Sequence, residues 1–278
     1  MSVQNFISTV WSENLYQALD KKYIAAANCN RDFEGDIREK GNKVRICGIE
    51  NVSVSDYTKN SNMSSPETLA DNYRDLVIDQ AKYFNFQIDD VDRAQSSPKL
   101  MGLAMKNAAS ALANAADKYI YSLYAEAGST ITDTAVTAEN IIDHLIDART
   151  KLFSNNVSDA SDIVIEVSPA IAGLILKAKV NLSTDNTDSL ENGCLGSIGG
   201  CKIFVSNNIT SLRAEDGMSY KCIARTKRAI AFAEQLSEID AYRPELRFAD
   251  AVKGLHLYGA KVVYPEEMVV LDLTIANA

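Results

Sequence analysis

The stretch between Ser97 and Gly128 limits the folds open to this chain more than any other part of its sequence. Ser97 suits the N-cap of a helix, Pro98 the first helical position, and Gly128 the stop. Between them Leu100, Leu103, Ala104, Ala108, Ala111, Leu112, Ala115, Tyr119 and Leu123 step by three and four, the spacing of one helical face. Lys106, Ser110, Asp117 and Tyr121 take the other side. About 30 residues at ~1.5 Å each make a rod of roughly 45 Å. A rod of that length spines a domain, and its alanines let a sheet pack closely against it. The rest of the chain has to supply the sheets.

Strand signals surround the rod. Residues 76–92, LVIDQAKYFNFQIDDVD, form an aromatic-rich strand region carrying Leu76, Ile78, Tyr83, Phe84, Phe86 and Ile88. The acids at its end, Asp89, Asp90 and Asp92, lack the spacing and the glycine of a calcium loop. Carboxylates just ahead of a helix suit its dipole instead. Beyond Gly128, Thr137 can cap a helix whose buried stripe is Ile141, Ile142, Leu145, Ala148 and Leu152, ended by Asn155 and Asn156. Residues 163–167 read as a short buried strand, and Ser168 and Pro169 open a helix running to Lys179. Residues 181–200 read as a loop, followed by strands at 202–205, 220–224 and 229–233. Two strands close the chain, 255–264 and 268–275, with Val269, Leu271, Leu273 and Ile275 on one face; their natural partners lie beside the long helix. The pattern is α+β, with a mixed α/β middle region containing several antiparallel pairings.

Two segments carry apolar faces that they cannot cover themselves. In residues 1–30, Phe6, Ile7, Val10, Trp11 and Leu15 fall near helical spacing in a piece too short to bury that stripe alone. It can dock on its own domain or reach a neighbouring subunit, since both satisfy the same burial requirement. After a polar run ending at Gly41, Val44 and Ile46 alternate with Lys43, Arg45 and Cys47. Beyond Gly48, Val52 and Val54 alternate with Ser53 and Ser55, which reads as a two-stranded ribbon with one apolar side. An isolated hairpin is marginal in water. Trp11, Val44, Ile46, Val52 and Val54 are therefore the candidate contact residues between subunits.

Composition and motifs exclude several kinds of work. The 46% hydrophobic content supplies a sizeable core, and the net charge of -9 opposes tight, sequence-independent binding to DNA phosphates. Five cysteines, Cys29, Cys47, Cys194, Cys201 and Cys222, with no Cys-x-x-Cys, read as reduced thiols. The start lacks a signal-peptide pattern, and no run approaches the ~20 apolar residues of a membrane span. A soluble protein made in a cytosol is expected. His144 and His256 lack the spacing of a zinc site, and GSIGG at 196–200 precedes a strand without the Gly-Lys-Ser/Thr of a phosphate loop. No Gly-x-Ser-x-Gly elbow occurs. No catalytic residue, metal ligand or cofactor is assigned.

The order of these parts resembles the major capsid proteins of tailed double-stranded DNA phages, with the Hong Kong 97-like capsid fold. WSENLYQALDKKYIAAANCNRDFEGDI is similar to the family's arm leading into its extended loop, and KGNKVRICGIENVSVSDYT to the loop ribbon. LVIDQAKYFNFQIDDVDRAQ, the most specific stretch, resembles the strand and crossing into the spine helix. LGSIGGCKIFVSNNI resembles the strand region of the axial domain, and VKGLHLYGAKVVYPEEMVVL the closing strands. The likeness covers nearly the whole chain, in order.

The resemblance implies an N-terminal arm at 1–30, an extended loop β-hairpin at 31–75, a peripheral domain with the spine helix at 76–130 and 235–278, and an axial domain at 131–234. It implies a non-enzymatic subunit that self-assembles, as hexamers and pentamers, into an icosahedral head shell enclosing double-stranded DNA without binding it tightly. A separate scaffolding protein, a portal and decoration proteins are partners it allows; a membrane is not. The expected location is the virion, after assembly in the host cytoplasm. Lys40, Lys43 and Lys59 lie in or near the loop, but none matches the crosslinking lysine of some relatives, so no crosslink is assigned. Rival readings are an encapsulin-like cellular compartment, a soluble enzyme with an unrecognised site, and a tail protein.

Overall fold

Alternating apolar segments become strands and the alanine-rich rod becomes a helix in the computed structural model. It describes residues 22–32, 43–49, 56, 59, 62, 71–89, 100–157, 159–178, 194–214, 217–246 and 248–276. The long helix, α1, spans Leu100–Ser122 and tightens into a 3-10 turn at Leu123–Glu126. Ser97 and Pro98 lie outside the described residues. The buried stripe of α1 differs from the expected one. Met105, Ala109, Leu112, Ala113, Ala116 and Ile120 face inward, and so do Asp117 and Tyr121, while Leu103 is 57% exposed and Ala111 points to solvent. Alanine on nearly every side gives periodicity little contrast, so the phase is set by what packs against the helix.

Three sheets organise the rest of the described residues. Strands β1 (Lys43–Ile49) and β2 (Asp71–Val77) pair antiparallel as a ribbon. The expected partner of β1, around Val52 and Val54, is thus corrected: residues 71–77 take that place, and Val52 and Val54 lie outside the described residues. Strand β3 (Gln80–Asp89) lies in a three-stranded antiparallel sheet, order β10–β11–β3, with β10 (Ile230–Tyr242) and β11 (Ala249–Val262). Leu76 and Phe84, expected in one strand region, fall on separate strands because strand pairing is interrupted at Ile78 and Asp79.

The seven-stranded sheet holds β4 (Ser129–Asp133), β5 (Ile163–Val167), β6 (Cys194–Ile198), β7 (Cys201–Val205), β8 (Ser211–Arg213), β9 (Gly217–Thr226) and β12 (Met268–Ala276). Its order is β4–β12–β9–β5–β7–β6, with β8 on β9; β12/β4 and β5/β7 are parallel. Helices α2 (Ile141–Ser154) and α3 (Pro169–Lys177) cover one face through Ile141, Leu145, Leu152, Ile171 and Ile175.

Local signals fix several ends. The Ser168 hydroxyl accepts the Ile171 N–H at 3.3 Å, with Pro169 inside the helix. Asn156 closes α2 at φ 66°. Thr137 does not cap α2: it sits in the turn before Asn140, the N-cap, whose Oδ1 accepts the Thr137 N–H at 2.8 Å. Residues 194–198, expected as loop, form β6, and Gly199 and Gly200 at φ 58° and 87° make the tight hairpin to β7. The closing strands separate: β11 flanks the long helix as expected, but β12 joins the seven-stranded sheet. Val269, Leu271 and Leu273 do share a face, packed beneath α2.

Residues 23–31 belong to the core. Their backbone is seated by charged groups that are themselves buried. Glu166 on β5 and Arg225 on β9 form a bidentate pair, with two N–H···O distances of 3.1 Å and neither side chain exposed. The same guanidinium donates to the carbonyls of Asn28 at 2.6 Å and Ala25 at 3.0 Å. From α1, the Asp117 carboxylate accepts the N–H groups of Ile24, Ala25 and Ala26 at 3.1, 3.1 and 3.2 Å. On β10, Glu234 accepts the Tyr23 hydroxyl, the Arg31 guanidinium at 2.6 Å and contacts His256 Nε2 at 2.8 Å. Asn30 completes the seat by backbone hydrogen bonds of 2.9 Å to Ile230 and Phe232.

Breaking a buried pair by removing one partner leaves an uncompensated charge, which costs about 3–5 kcal/mol. Glu166→Ala should lose about that much in urea unfolding of the unassembled chain, and Glu166→Leu with Arg225→Met should recover only part of it, because the Asn28 and Ala25 carbonyls then lose their guanidinium donor. A loss under 1 kcal/mol for the single change, an order-of-magnitude mark, would place the pair outside the stabilising core.

Burial pushes the Asp117 carboxyl up to about 7, against the pull of its backbone donors and with help from nearby Glu166. Between pH 4 and 7 the folded chain therefore keeps a proton that the unfolded chain has released. The stability of the native chain relative to Asp117→Asn should be greatest near pH 4 and decline toward pH 7. A flat or rising difference in denaturation midpoints would contradict it.

Candidate functional site

The five residues expected at subunit contacts divide into two groups. Trp11, Val52 and Val54 lie outside the described residues. Val44 and Ile46 are buried by their own chain, packed with Leu76 and Ile78 against Ala231, Ala233 and Leu257 of the three-stranded sheet. The expectation that they are uncovered is corrected. The apolar side of an amphipathic ribbon takes whatever apolar surface is within reach, and here a sheet of the same chain lies beneath it. Close approach makes this seating possible: a Cβ on Gly259 would lie 2.2 Å from the Val77 carbonyl oxygen.

The ribbon's other face is polar and pinned. Arg45 stacks 4.1 Å from the centroid of the Tyr73 ring and donates to Asp75 at 3.1 Å. On the inner face, in register with Ile46, Arg74 donates to the Val262 carbonyl at 2.8 Å, tying the ribbon's second strand to β11. Of the N-terminal arm, residues 23–31 dock on the chain's own core, and residues 1–21 lie outside the described residues.

Both histidines and two of the cysteines among the described residues have structural surroundings. His144 on α2 contacts Asp133 at 2.6 Å, and the Ala135 N–H together with this histidine holds the Asp133 carboxyl below its ordinary range. His256 is fully buried against Glu234. Burial pushes the thiols of Cys29 and Cys222 up to about 11 and about 12, so neither forms a thiolate at neutral pH. Among the described residues, no three metal-ligating side chains come together, and no helix is long and apolar enough to cross a membrane.

Exposed apolar side chains gather elsewhere. The turn joining β10 to β11 carries Leu246 at 96% and Phe248 at 85% exposure, in the run RPELRF. Sequence reasoning passed over these residues. The available signal was two large apolar side chains in a proline-containing turn, where polar residues are the norm. Near the base of the same hairpin, Tyr83, Leu255 and Tyr242 are exposed on the three-stranded sheet.

Comparison with known proteins agrees with this architecture. A family model described as phage capsid protein matches residues 74–271. A solved chain from Mycobacterium phage Che8 is 30% identical, with 90% of each chain covered and a TM-score of 0.70. A chain from the capsid of Cyanophage P-SCSP1u is 14% identical at TM-score 0.67, covering 90% of this chain and 87% of that one. A chain from a virus-like particle of Pyrococcus furiosus is 13% identical at TM-score 0.57, covering 96% and 99%. No curated protein matches. The last two likenesses show the shared fold alone; the family model and the Che8 chain reach further. With a spine helix, two flanking sheets and an extended ribbon in the order of that family, this chain belongs to the phage capsid proteins and is a shell-forming structural subunit of a virion.

Proposed function

We propose that copies of this chain form the hexamers and pentamers of a head shell around packaged double-stranded DNA. The observation that carries this reading is the near full-length likeness to the Che8 chain, at 30% identity over 90% of both. The α1 helix with the three-stranded sheet would form the peripheral part, and the seven-stranded sheet with α2 and α3 the axial part. Trp11, Val52 and Val54 remain the proposed contacts with neighbours, now joined by the outward face of the ribbon. Val44 and Ile46 hold the ribbon at its working angle from within the subunit.

The acidic balance suits a container. A net charge of -9 leaves few cations to condense on DNA phosphates, so the shell can confine the duplex without gripping it. Assembly in the host cytoplasm, a portal and decoration proteins complete the proposal; a separate scaffolding protein would speed assembly without being required for it. The subunit needs no catalytic centre: the work of the shell is done by many modest contacts acting together.

Purified chain raised in concentration should produce closed, evenly sized shells in negative-stain micrographs. A compact monomer at every concentration would overturn the reading, tubes would point to a tail protein, and an enzyme copurifying inside the shells would favour a cellular compartment. Deleting residues 1–20 should lower the yield of shells while leaving the unfolding temperature of the unassembled chain within a few degrees, because the seat at residues 23–31 stays intact. Equal losses in both would show that the arm serves its own subunit alone.

A further inference from the structure

The outer face of the three-stranded sheet is only half covered. The ribbon seats Val44 and Ile46 on Ala231, Ala233 and Leu257. Side chains two apart on a strand share a face, so Leu255 lies on the same side as Leu257, yet it is exposed. Tyr83 stands opposite Leu255 in register and is more exposed still. Between them and the next rung is a hollow of about 300 Å³, lined by Tyr83, Asn85, Asp240, Lys253, Gly254 and Leu255. It has room for an apolar side chain the size of leucine or phenylalanine.

The same hairpin carries the matching piece. Leu246 and Phe248 project from the β10–β11 turn almost completely exposed, so they do not fill the hollow of their own chain. Charge follows shape. The rim of the hollow holds Asp240 and Lys253, 3.4 Å apart, and the turn holds Arg243 and Glu245 beside its apolar pair. Arg243 is engaged within its own hairpin, 3.5 Å from Asp250, so the charge left to complement across a contact between copies is Glu245 of the turn against Lys253 of the rim.

Resting on the reading of this chain as a shell subunit, the geometry points to a knob-and-hole contact: the Leu246/Phe248 turn of one copy inserts into the Tyr83/Leu255 hollow of a second copy. Knob and hole are different surfaces, so the contact runs head to tail and closes into a ring within a symmetric shell. One leucine and one phenylalanine bury only a few hundred Å², well under the roughly 1,200 Å² of a stable pair. The contact therefore forms as one of several during assembly and does not dimerise the free chain.

The test uses assembled shells and a short bismaleimide. Shells co-assembled from Leu246→Cys chain and Leu255→Cys chain should give covalent dimers on a denaturing gel, and shells of the double variant should give a ladder beyond dimers. Wild-type shells treated alike set the background from native cysteines. Normal shells without these products overturn the contact. So does crosslinking of the Leu246→Cys chain alone to the same extent, which would mean that turn meets turn. As a second measurement, Leu246→Ser with Phe248→Ser should raise the concentration for half-maximal assembly about tenfold without changing the unfolding temperature of the free chain; an unchanged assembly concentration counts against the contact. Failure of the wild-type chain to form any shell overturns the shell reading, and this contact with it.

Discussion

One buried arginine holds the parts of this subunit in relation to each other. Arg225 sits on the seven-stranded sheet, is paired with Glu166 on the neighbouring strand, and spends its remaining donors on backbone carbonyls of the N-terminal segment. Removing a guanidinium and a carboxylate from water is costly unless every donor and acceptor finds a partner. Here Asn28 adds its amide to Glu166 at 3.3 Å, so the carboxylate is satisfied twice over. The cost of burial turns into specificity: segment 23–31 has one place where these groups close. Asp117 from α1 and Glu234 from β10 fasten the same segment from two further directions. A short piece of chain, with one 3-10 turn at Ala26–Asn28, thereby becomes the joint between the long helix and both large sheets.

Much of the architecture could be read from residues, and the failures have physical causes. The Ser168-Pro169 start and the Asn155-Asn156 stop were legible because each is a local device whose geometry its own residues dictate. The face of α1 was not. With alanine spread around the helix, a pattern that included Leu103 and Ala111 looked as good as the one built on Met105 and Ile120. Asp117 and Tyr121 deepened the error, since a carboxylate reads as a solvent residue unless one knows that three N–H groups await it. Pairing partners were equally opaque. The apolar sides of β1 and of the 52–54 region look alike in sequence, and only the tertiary fold brings residues 71–77 alongside β1.

The surfaces follow a division of labour. Both histidines are held against carboxylates, His144 against Asp133 and His256 against Glu234. The three most exposed large apolar side chains among the described residues, Leu246, Phe248 and Tyr83, stand on one hairpin and the strand beside it. A shell protein needs that arrangement. Its folded core must be settled before assembly, and the surfaces that join copies must be individually weak, or the first wrong encounter would be permanent. The candidate contact residues Val44 and Ile46 illustrate the difference, because they have turned out to be part of the settled core.

The position of β12 bears on how such a subunit can change shape. Met268 and Val270 pack toward the long helix, while Val269, Leu271 and Leu273 pack beneath α2, so successive residues of one strand face opposite interiors. The strand is a party wall. Swivelling one half of the molecule against the other would shear both interiors at once, and close-packed interiors resist shear. A tile built around such a wall moves as one rigid plate.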